Sequence, residues 1–367
     1  MAMKRRKSRR ITVGSVAIGG GAPVAVQSMT KTQTDDVRGT VAQARRLEAA
    51  GCELVRIAVP NRRALKSFIE IREKITMPVI ADIHFSKELA LGAFDAGADC
   101  VRVNPGNIGG RGEFRAVAIA ARNLGRAIRI GVNAGSLDPK IKKDGRFSDS
   151  EKLVASARLY METAEKAGLK NYKVSLKASN VPATVAAYRG IAQLTDAPLH
   201  VGVTEAGDVF SGAIKSAVGI GILLNEGIGD TIRVSLSAPP EDEIRAAWEI
   251  LRALGLRRRG VEIISCPTCS RTKVGVGALA ARIRELTVAI TQPVRIAVMG
   301  CEVNGPGESE KADIALVMDR AGGARLYAGG KLIRKVTARA CVAELMKEME
   351  KFIQAGAEGR PEDISCY

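Results

Sequence analysis

Apolar positions along this chain follow two periods, and the switches between them divide it into elements. Short runs rich in Val and Ile, bounded by Gly, Pro and Asp, predict strands. Apolar residues returning every three or four positions predict helices between them. Residues 11–18 and 23–26, joined by the glycines at 19–21, predict a hairpin-like opening. Strand expectations then fall at 23–29, 53–59, 78–85, 100–105, 128–134, 172–178, 199–206 and 230–237. The first helix presents Val37, Val41, Ala44 and Leu47 on one face and stops at Gly51. The clearest later helices cover 151–167 and 241–254. Eight strand-and-helix units with Val/Ile-rich strands predict a (β/α)8 TIM barrel of the α/β class. The absence of Gly-x-Gly-x-x-Gly after the first strand argues against a dinucleotide-binding sheet.

The pattern changes near residues 256–260. Beyond it, strands are expected at 261–265, 294–299 and 313–318, a helix at 278–290, a hairpin around Gly329 and Gly330, and a last helix at 337–354. In that helix Val342, Leu345, Met346, Met349, Phe352 and Ile353 form one core stripe. The expected division is a barrel over 1–256 and a smaller α+β domain over 257–367.

Composition narrows the setting. No apolar run in the 367 residues approaches a membrane span, and the basic opening from Lys4 to Arg10 lacks a signal-peptide core, so the expected location is the cytoplasm. There, seven cysteines favour metal binding or catalysis over structural disulfides. A net charge of +17 raises nucleic acid as a partner, but only 4% of residues are aromatic and no recognition motif occurs. A polyanionic small substrate and an acidic protein partner account for the charge equally well.

Candidate chemistry appears in two places. In a barrel the carboxyl ends of the strands carry the active site. The expected strands carry Arg56, Asp82 with His84, Arg102 with Asn104, Arg129 with Asn133, Lys177, Thr204 with Glu205, and Arg233 with Ser235. Arg56, Arg102, Arg129, Lys177 and Arg233 outnumber the carboxylates, so an anion is expected among them, and Arg forks suit phosphate oxygens. Some of these side chains form structural ion pairs on the competing interpretation. The second place is Ser-Cys-Pro-Thr-Cys-Ser-Arg-Thr at 265–272 with Met-Gly-Cys-Glu-Val-Asn-Gly-Pro-Gly-Glu at 299–308. Structural zinc wants four Cys or His ligands, and the only two histidines, His84 and His200, fall on barrel strands. A redox pair would leave Cys301 without a role. An iron-sulfur cluster takes Cys266, Cys269 and Cys301 and leaves one iron for another ligand or a substrate. Glu308 and Cys366 compete for that fourth position, and spacing does not choose between them. Cys52, Cys100 and Cys341 read as plain buried thiols.

These segments resemble the bacterial 4-hydroxy-3-methylbut-2-enyl diphosphate synthases of the methylerythritol phosphate route to isoprenoids. The likeness is carried by Ala-Asp-Ile-His-Phe at 81–85, Val-Arg-Val-Asn-Pro-Gly-Asn at 101–107, Gly-Val-Asn-Ala-Gly-Ser-Leu at 131–137, and Ser-Leu-Lys-Ala-Ser at 175–179. His-Val-Gly-Val-Thr-Glu-Ala-Gly at 200–207, Gly-Asp-Thr-Ile-Arg-Val-Ser at 229–235 and both cysteine motifs extend it over nearly the whole chain. The resemblance implies the two-domain bacterial form, without the larger inserted domain of plant-type members. It implies a 4Fe-4S cluster on Cys266, Cys269, Cys301 and Glu308, against Cys366. It implies reductive ring opening and dehydration of 2-C-methyl-D-erythritol 2,4-cyclodiphosphate. Arg56, Asp82, His84, Arg102, Arg129, Asn133, Lys177, Arg233 and Ser235 are then substrate-binding, and Glu205 and Glu308 catalytic, with Glu205 delivering a proton. Reduced flavodoxin or ferredoxin is the implied electron donor. The implied assembly is a homodimer in which the cluster domain of one subunit closes over the barrel of the other, which a linker of about five residues permits. Two other classes remain: a barrel lyase or transferase of phosphorylated substrates with a structural metal site, and a basic nucleic-acid-binding protein with a metal clip.

Overall fold

The computed structural model describes residues 4–359 apart from 138, 273, 320 and 321. Cys366, one candidate cluster ligand, lies outside the described residues. The chain separates into two compact units, Met1–Arg257 and Arg258–Tyr367.

The first unit opens with a hairpin, β1 (Ile11–Val13) and β2 (Val16–Ile18), paired antiparallel from Ile11–Ile18 to Val13–Val16. It turns at Gly14 and Ser15, not at the glycines 19–21. Gly14 has φ +56°, and a Cβ there would sit 2.9 Å from Pro78, so the tight turn needs glycine at that point. There follow β3 (Ala25–Met29), α1 (Val37–Ala50), β4 (Leu54–Ala58), α2 (Arg62–Glu73), β5 (Val79–Ile83), α3 (Lys87–Asp95), β6 (Cys100–Val103), α4 (Arg111–Asn123) and β7 (Ala127–Asn133). After a short 3-10 turn come α5 (Pro139–Lys142), α6 (Asp149–Lys166), β8 (Tyr172–Lys177), α7 (Val181–Leu194), β9 (His200–Val201), α8 (Val209–Asn225), β10 (Thr231–Ile232) and α9 (Pro240–Ala253). All strands from β3 to β10 run parallel, β10 pairs back to β3, and a parallel bridge from Val174 to Leu199 joins β8 to β9. The sheet is a closed (β/α)8 barrel.

The last two strands are shorter than the apolar runs at 199–206 and 230–237 imply. A Cβ at Gly202 would collide with the carbonyl oxygen of Arg233. Arg233 N–H still donates to Val201 O at 3.0 Å, but beyond this close approach the chain leaves the ladder and bends at Thr204 and Glu205, the latter with φ +52°. His84 likewise falls just beyond β5. At the other end, the apolar side chains of the hairpin, Ile11, Val13 and Ile18, pack under Ala25, Leu54, Ile80, Cys100 and Ala127 and close the barrel floor. Three arginines of the basic tip are held at the same end. Arg5 reaches Ala22 O and Asp230, Arg6 reaches the carbonyls of Thr195 and Ala197, and Arg9 lies over the Tyr172 ring. Arg257 is pinned to the barrel by Glu53 at 2.7 Å and by the face of Trp248.

The second unit is an α+β layer: β11 (Val261–Ser265), α10 (Val276–Thr287), β12 (Val294–Met299), α11 (Gly305–Glu310), β13 (Ile314–Met318), β14 (Gly323–Ala328), β15 (Lys331–Thr337) and α12 (Cys341–Gly359). The sheet runs β11-β12-β13-β14-β15, its first three strands parallel and its last two antiparallel. The final helix starts at Cys341, not at 337. Thr337 still pairs with Gly323, and its carbonyl and hydroxyl accept the Ala340 amide in the turn that follows. Leu345 and Met349 of α12 are buried against the sheet, and Cys341 is buried with them.

Candidate functional site

Barrel geometry alone turns alternate residues of each strand inward and brings the strand ends together. One pocket results, lined by Arg56, Asp82, His84, Arg102, Arg129, Asn133, Ser175, Lys177, Thr204, Arg233 and Ser235. All nine expected substrate-binding residues lie there. Ser175, two positions before Lys177 and therefore on the same strand face, was legible from alternation but not singled out. Glu205 does not line the pocket: it is exposed at the rim, one residue beyond Thr204.

Asp82 organises one wall. Arg102 Nη1 donates to its Oδ1 at 3.2 Å, Arg56 Nε stands 3.9 Å from Oδ2, and His84 Nε2 lies 3.6 Å from Oδ2. Arg102 also meets His84 Nε2 at 2.6 Å and donates from Nη2 to Gly131 O. With its amide oxygen turned toward Arg102, Asn133 accepts from Nη2 at 3.2 Å. Gly131 makes the fit possible, because a Cβ there would sit 2.5 Å from Arg102 Nε. Burial alone would raise the Asp82 carboxyl, but Arg56, His84 and Arg102 bring it well below the usual carboxylate range. Across the mouth, Arg233 is held by Glu243 Oε2 at 3.4 Å. Glu243 also accepts from Ser28 Oγ and Leu236 N and pairs with Lys31. The sequence reading missed Glu243, although a carboxylate one position from Ile244 and four from Ala247 sits on the core face of α9.

The balance among the lining residues is five cations to one carboxylate. Burial, followed by the fields of neighbouring arginines, lowers Lys177 and Arg129 well below their ordinary values. Arg56 is lowered to about 10, mainly by burial. Such a group is costly without an anion, and the pocket has the charge and the Arg forks to receive one of the phosphate class.

In the second unit, β11 and β12 pair in register from Val261–Val294 to Ser265–Val298, so the two cysteine motifs leave neighbouring strands at the same edge. Gly300 N–H donates to Cys266 Sγ at 3.2 Å, joining the turn after β11 to the one after β12. A Cβ at Gly300 would come within 2.7 Å of Thr272. A cavity lined by Arg271, Val274, Gly300, Cys301, Glu302, Val303, Met318 and Asp319 opens there. The Gly-Pro-Gly segment at 305–307 is the start of α11, with Pro306 in its first turn, and Glu308 is on that helix, 3.4 Å from Lys311. Cys266 and Cys301 are half-buried and Cys269 is exposed; all three are free thiols. Burial raises Cys52 to about 12 and Cys100 to about 11, and both are packed among the apolar side chains of the barrel. Among the described residues no three His, Cys, Asp or Glu side chains converge tightly enough for one metal ion. A cluster places each ligand on its own iron and needs no such convergence.

Backbone strain falls at both places. Phe85, Glu205 and Thr268 are the non-glycine residues with positive φ among those described. They stand beside His84, beside Thr204, and between Cys266 and Cys269. Left-handed backbone costs on the order of 1–3 kcal/mol for such residues and concentrates at functional positions.

Two family models match the chain, one after the other. The model of the GcpE TIM-barrel domain matches residues 8–248 and that of the GcpE protein C-terminal domain matches 262–351. A 4-hydroxy-3-methylbut-2-en-1-yl diphosphate synthase (flavodoxin) of Hahella chejuensis is 46% identical, covering 99% of this chain and 97% of that protein. The protein of the same name from Caldanaerobacter subterraneus subsp. tengcongensis is 48% identical, covering 96% of this chain and 99% of its own. Among solved structures, dihydropteroate synthase from Stenotrophomonas maltophilia superposes with a TM-score of 0.51 at 16% identity, over 68% of this chain and 98% of that one, a likeness of the barrel fold alone. With two domain models matched in order and near-full-length identity to proteins of one name, the chain belongs to the GcpE family of 4-hydroxy-3-methylbut-2-en-1-yl diphosphate synthases.

Proposed function

We propose that this chain is an iron-sulfur oxidoreductase that converts 2-C-methyl-D-erythritol 2,4-cyclodiphosphate to 4-hydroxy-3-methylbut-2-en-1-yl diphosphate in the methylerythritol phosphate pathway, with flavodoxin as electron donor. The observation that carries it is the barrel pocket, where five buried or half-buried cations face one carboxylate. Written for the full acids, two electrons and two protons enter, the ring C–O bond to diphosphate breaks, and one oxygen leaves as water.

Each barrel residue has a task in this reading. Arg56, Arg102, Arg129, Lys177 and Arg233 hold the diphosphate and disperse the charge that grows on its oxygen as the ring opens. Asp82 fixes Arg56 and Arg102 against their mutual repulsion, and Asn133, Ser235 and His84 orient the substrate through hydrogen bonds. Glu205 at the rim delivers a proton, its strained backbone aiming a carboxyl that a relaxed strand would turn elsewhere.

Three free thiols and a carboxylate at one edge of the β11-β12 pair fit a 4Fe-4S cluster, with Cys266, Cys269, Cys301 and Glu308 as ligands and the Gly300 amide bonded to the Cys266 sulfur. When bound, the cluster supplies the electrons and a Lewis-acidic iron. Glu308 would be the one oxygen ligand, hence the most readily exchanged, and it stands 3.4 Å from Lys311. The reduced state of the six described cysteines suits the cytoplasm.

The assembly proposed is a homodimer. Along α8, Phe210, Ile214, Val218 and Ile222 recur every four residues and are exposed, while Lys215 is the single charge on the helix. An acidic donor finds no charge complement there, which leaves a second copy of the same face as the occupant.

The deciding experiment is anaerobic reconstitution with iron and sulfide, followed by metal analysis and paramagnetic spectra with and without the cyclic diphosphate. About four irons per chain and a spectrum that changes with substrate are expected. Glu308→Ala should keep the iron and lose most of the substrate-dependent change. A zinc protein, or a cluster indifferent to that substrate, would overturn the assignment.

A further inference from the structure

Below the pocket the barrel interior does not turn apolar at once. Alternation places Lys173 two residues before Ser175 on β8, Thr231 two before Arg233 on β10, and His200 two before Gly202 on β9, all facing inward. Gln27 stands likewise two before Met29 on β3. Only beneath these does the apolar floor begin. Barrel interiors are normally filled by layers of branched apolar side chains. Here the layer under the pocket holds Lys173 and His200 at 0% exposure and Gln27 at 1%.

This layer lacks hydrogen-bond partners in one particular way. Lys173 Nζ, both amide atoms of Gln27, His200 Nε2, and Nε and Nη1 of Arg129 are buried without a partner. Lys173 and Arg129 are register partners on adjacent strands, so two cations lie side by side. The interior carboxylates are taken: Asp82 by Arg56 and Arg102, Glu243 by Arg233, Lys31 and Ser28, Asp230 by Arg5, Ser8 and the Leu199 amide. What the layer lacks is negative charge as well as acceptors, and water supplies only the latter. Burial lowers Lys173 to about 8, which leaves it largely protonated at neutral pH.

We propose that the barrel holds a resident small monovalent anion of the halide class one side-chain layer beneath the diphosphate pocket, bound by Lys173 Nζ and by Arg129 Nε. The Gln27 amide donates to it from the side. His200 contributes Nε2–H, in the tautomer whose Nδ1 accepts from Thr231 Oγ1 at 2.8 Å. Arg129 serves both levels, its Nε–H on the anion and the far end of its guanidinium toward the pocket. The inner ion therefore fixes the angle at which that guanidinium meets a diphosphate. Nothing in this site depends on the identity of the substrate above it.

The test is a crystal of the reconstituted full-length protein grown with bromide at physiological halide concentration in place of chloride. An anomalous peak within hydrogen-bonding distance of both Lys173 Nζ and Arg129 Nε is expected, and its loss in Lys173→Met. No peak, water density in its place, or a peak only in concentrated bromide, which is an adventitious ion only, overturns the site. A solution readout stands beside it if Lys173→Met does not fold. At constant ionic strength made up with gluconate, the melting temperature of the wild-type protein should rise with bromide and saturate; a flat curve overturns the proposal.

Discussion

Lys177 shows what a cation gains from standing among cations. Burial and then Arg129, Arg233, Arg56 and Arg102 hold its amine well below 10.5. The unfolded chain therefore binds the proton more readily, and this residue costs stability progressively as pH falls below 10.5. A bound diphosphate reverses the local field and raises the amine, so binding takes up protons in the window between the lowered value and 10.5. Calorimetry of inorganic diphosphate binding in buffers of different ionisation enthalpy should show net proton uptake, and a buffer-independent heat would contradict the site. Asp82 is the opposite case. Its depressed carboxyl stabilises the fold above about pH 4 and ceases to do so as pH falls through its lowered value. Asp82→Asn leaves Arg56 and Arg102 uncompensated and should cost about 3–5 kcal/mol in denaturant unfolding. Added diphosphate should return part of that loss, because it replaces the missing charge.

Elements were legible to the extent that a periodic pattern decided them. The barrel strands carry continuous Val/Ile runs because both faces are covered, and their inward polar residues stood out against that background. Polar inward positions were harder to grade. Lys177 and Ser175 share a strand face, yet only the charge drew attention, and Glu243 was hidden because the acidic start of α9 reads as ordinary helix-terminal charge. The short β9 and β10 were misread because hydropathy does not report the close backbone approach at Gly202. The outward stripe of α8 was likewise invisible, since an all-round apolar helix looks like core until the barrel shows which side is covered. Ile214→Glu would put a charge in the middle of that stripe. On the homodimer proposed above, built of 38.9 kDa chains, sedimentation should report conversion from dimer to monomer with the barrel still folded by circular dichroism. A variant that sediments unchanged would remove α8 from the interface.

At the scale of the whole molecule, the net charge of +17 is not concentrated in an arm, because Arg5, Arg6 and Arg9, half of the six cations of the basic tip, are held by backbone carbonyls, Asp230 and the Tyr172 ring. The surplus is a property of the surface at large, and a surface field acts on encounter more than on the bound complex. An acidic flavodoxin approaching such a protein is drawn in over roughly a Debye length, about 10 Å at 0.1 M salt and about 3 Å at 1 M. The second-order rate of cluster reduction by flavodoxin should therefore fall steeply with ionic strength, while electron transfer within the formed complex should change little. Stopped-flow reduction of the reconstituted enzyme over a salt series separates the two. The same series with dithionite, a small reductant, controls for salt effects on the cluster itself. A bimolecular rate for flavodoxin that is flat in salt would mean that the positive surface serves the cyclic diphosphate alone, and that the donor is selected by shape at the cluster edge.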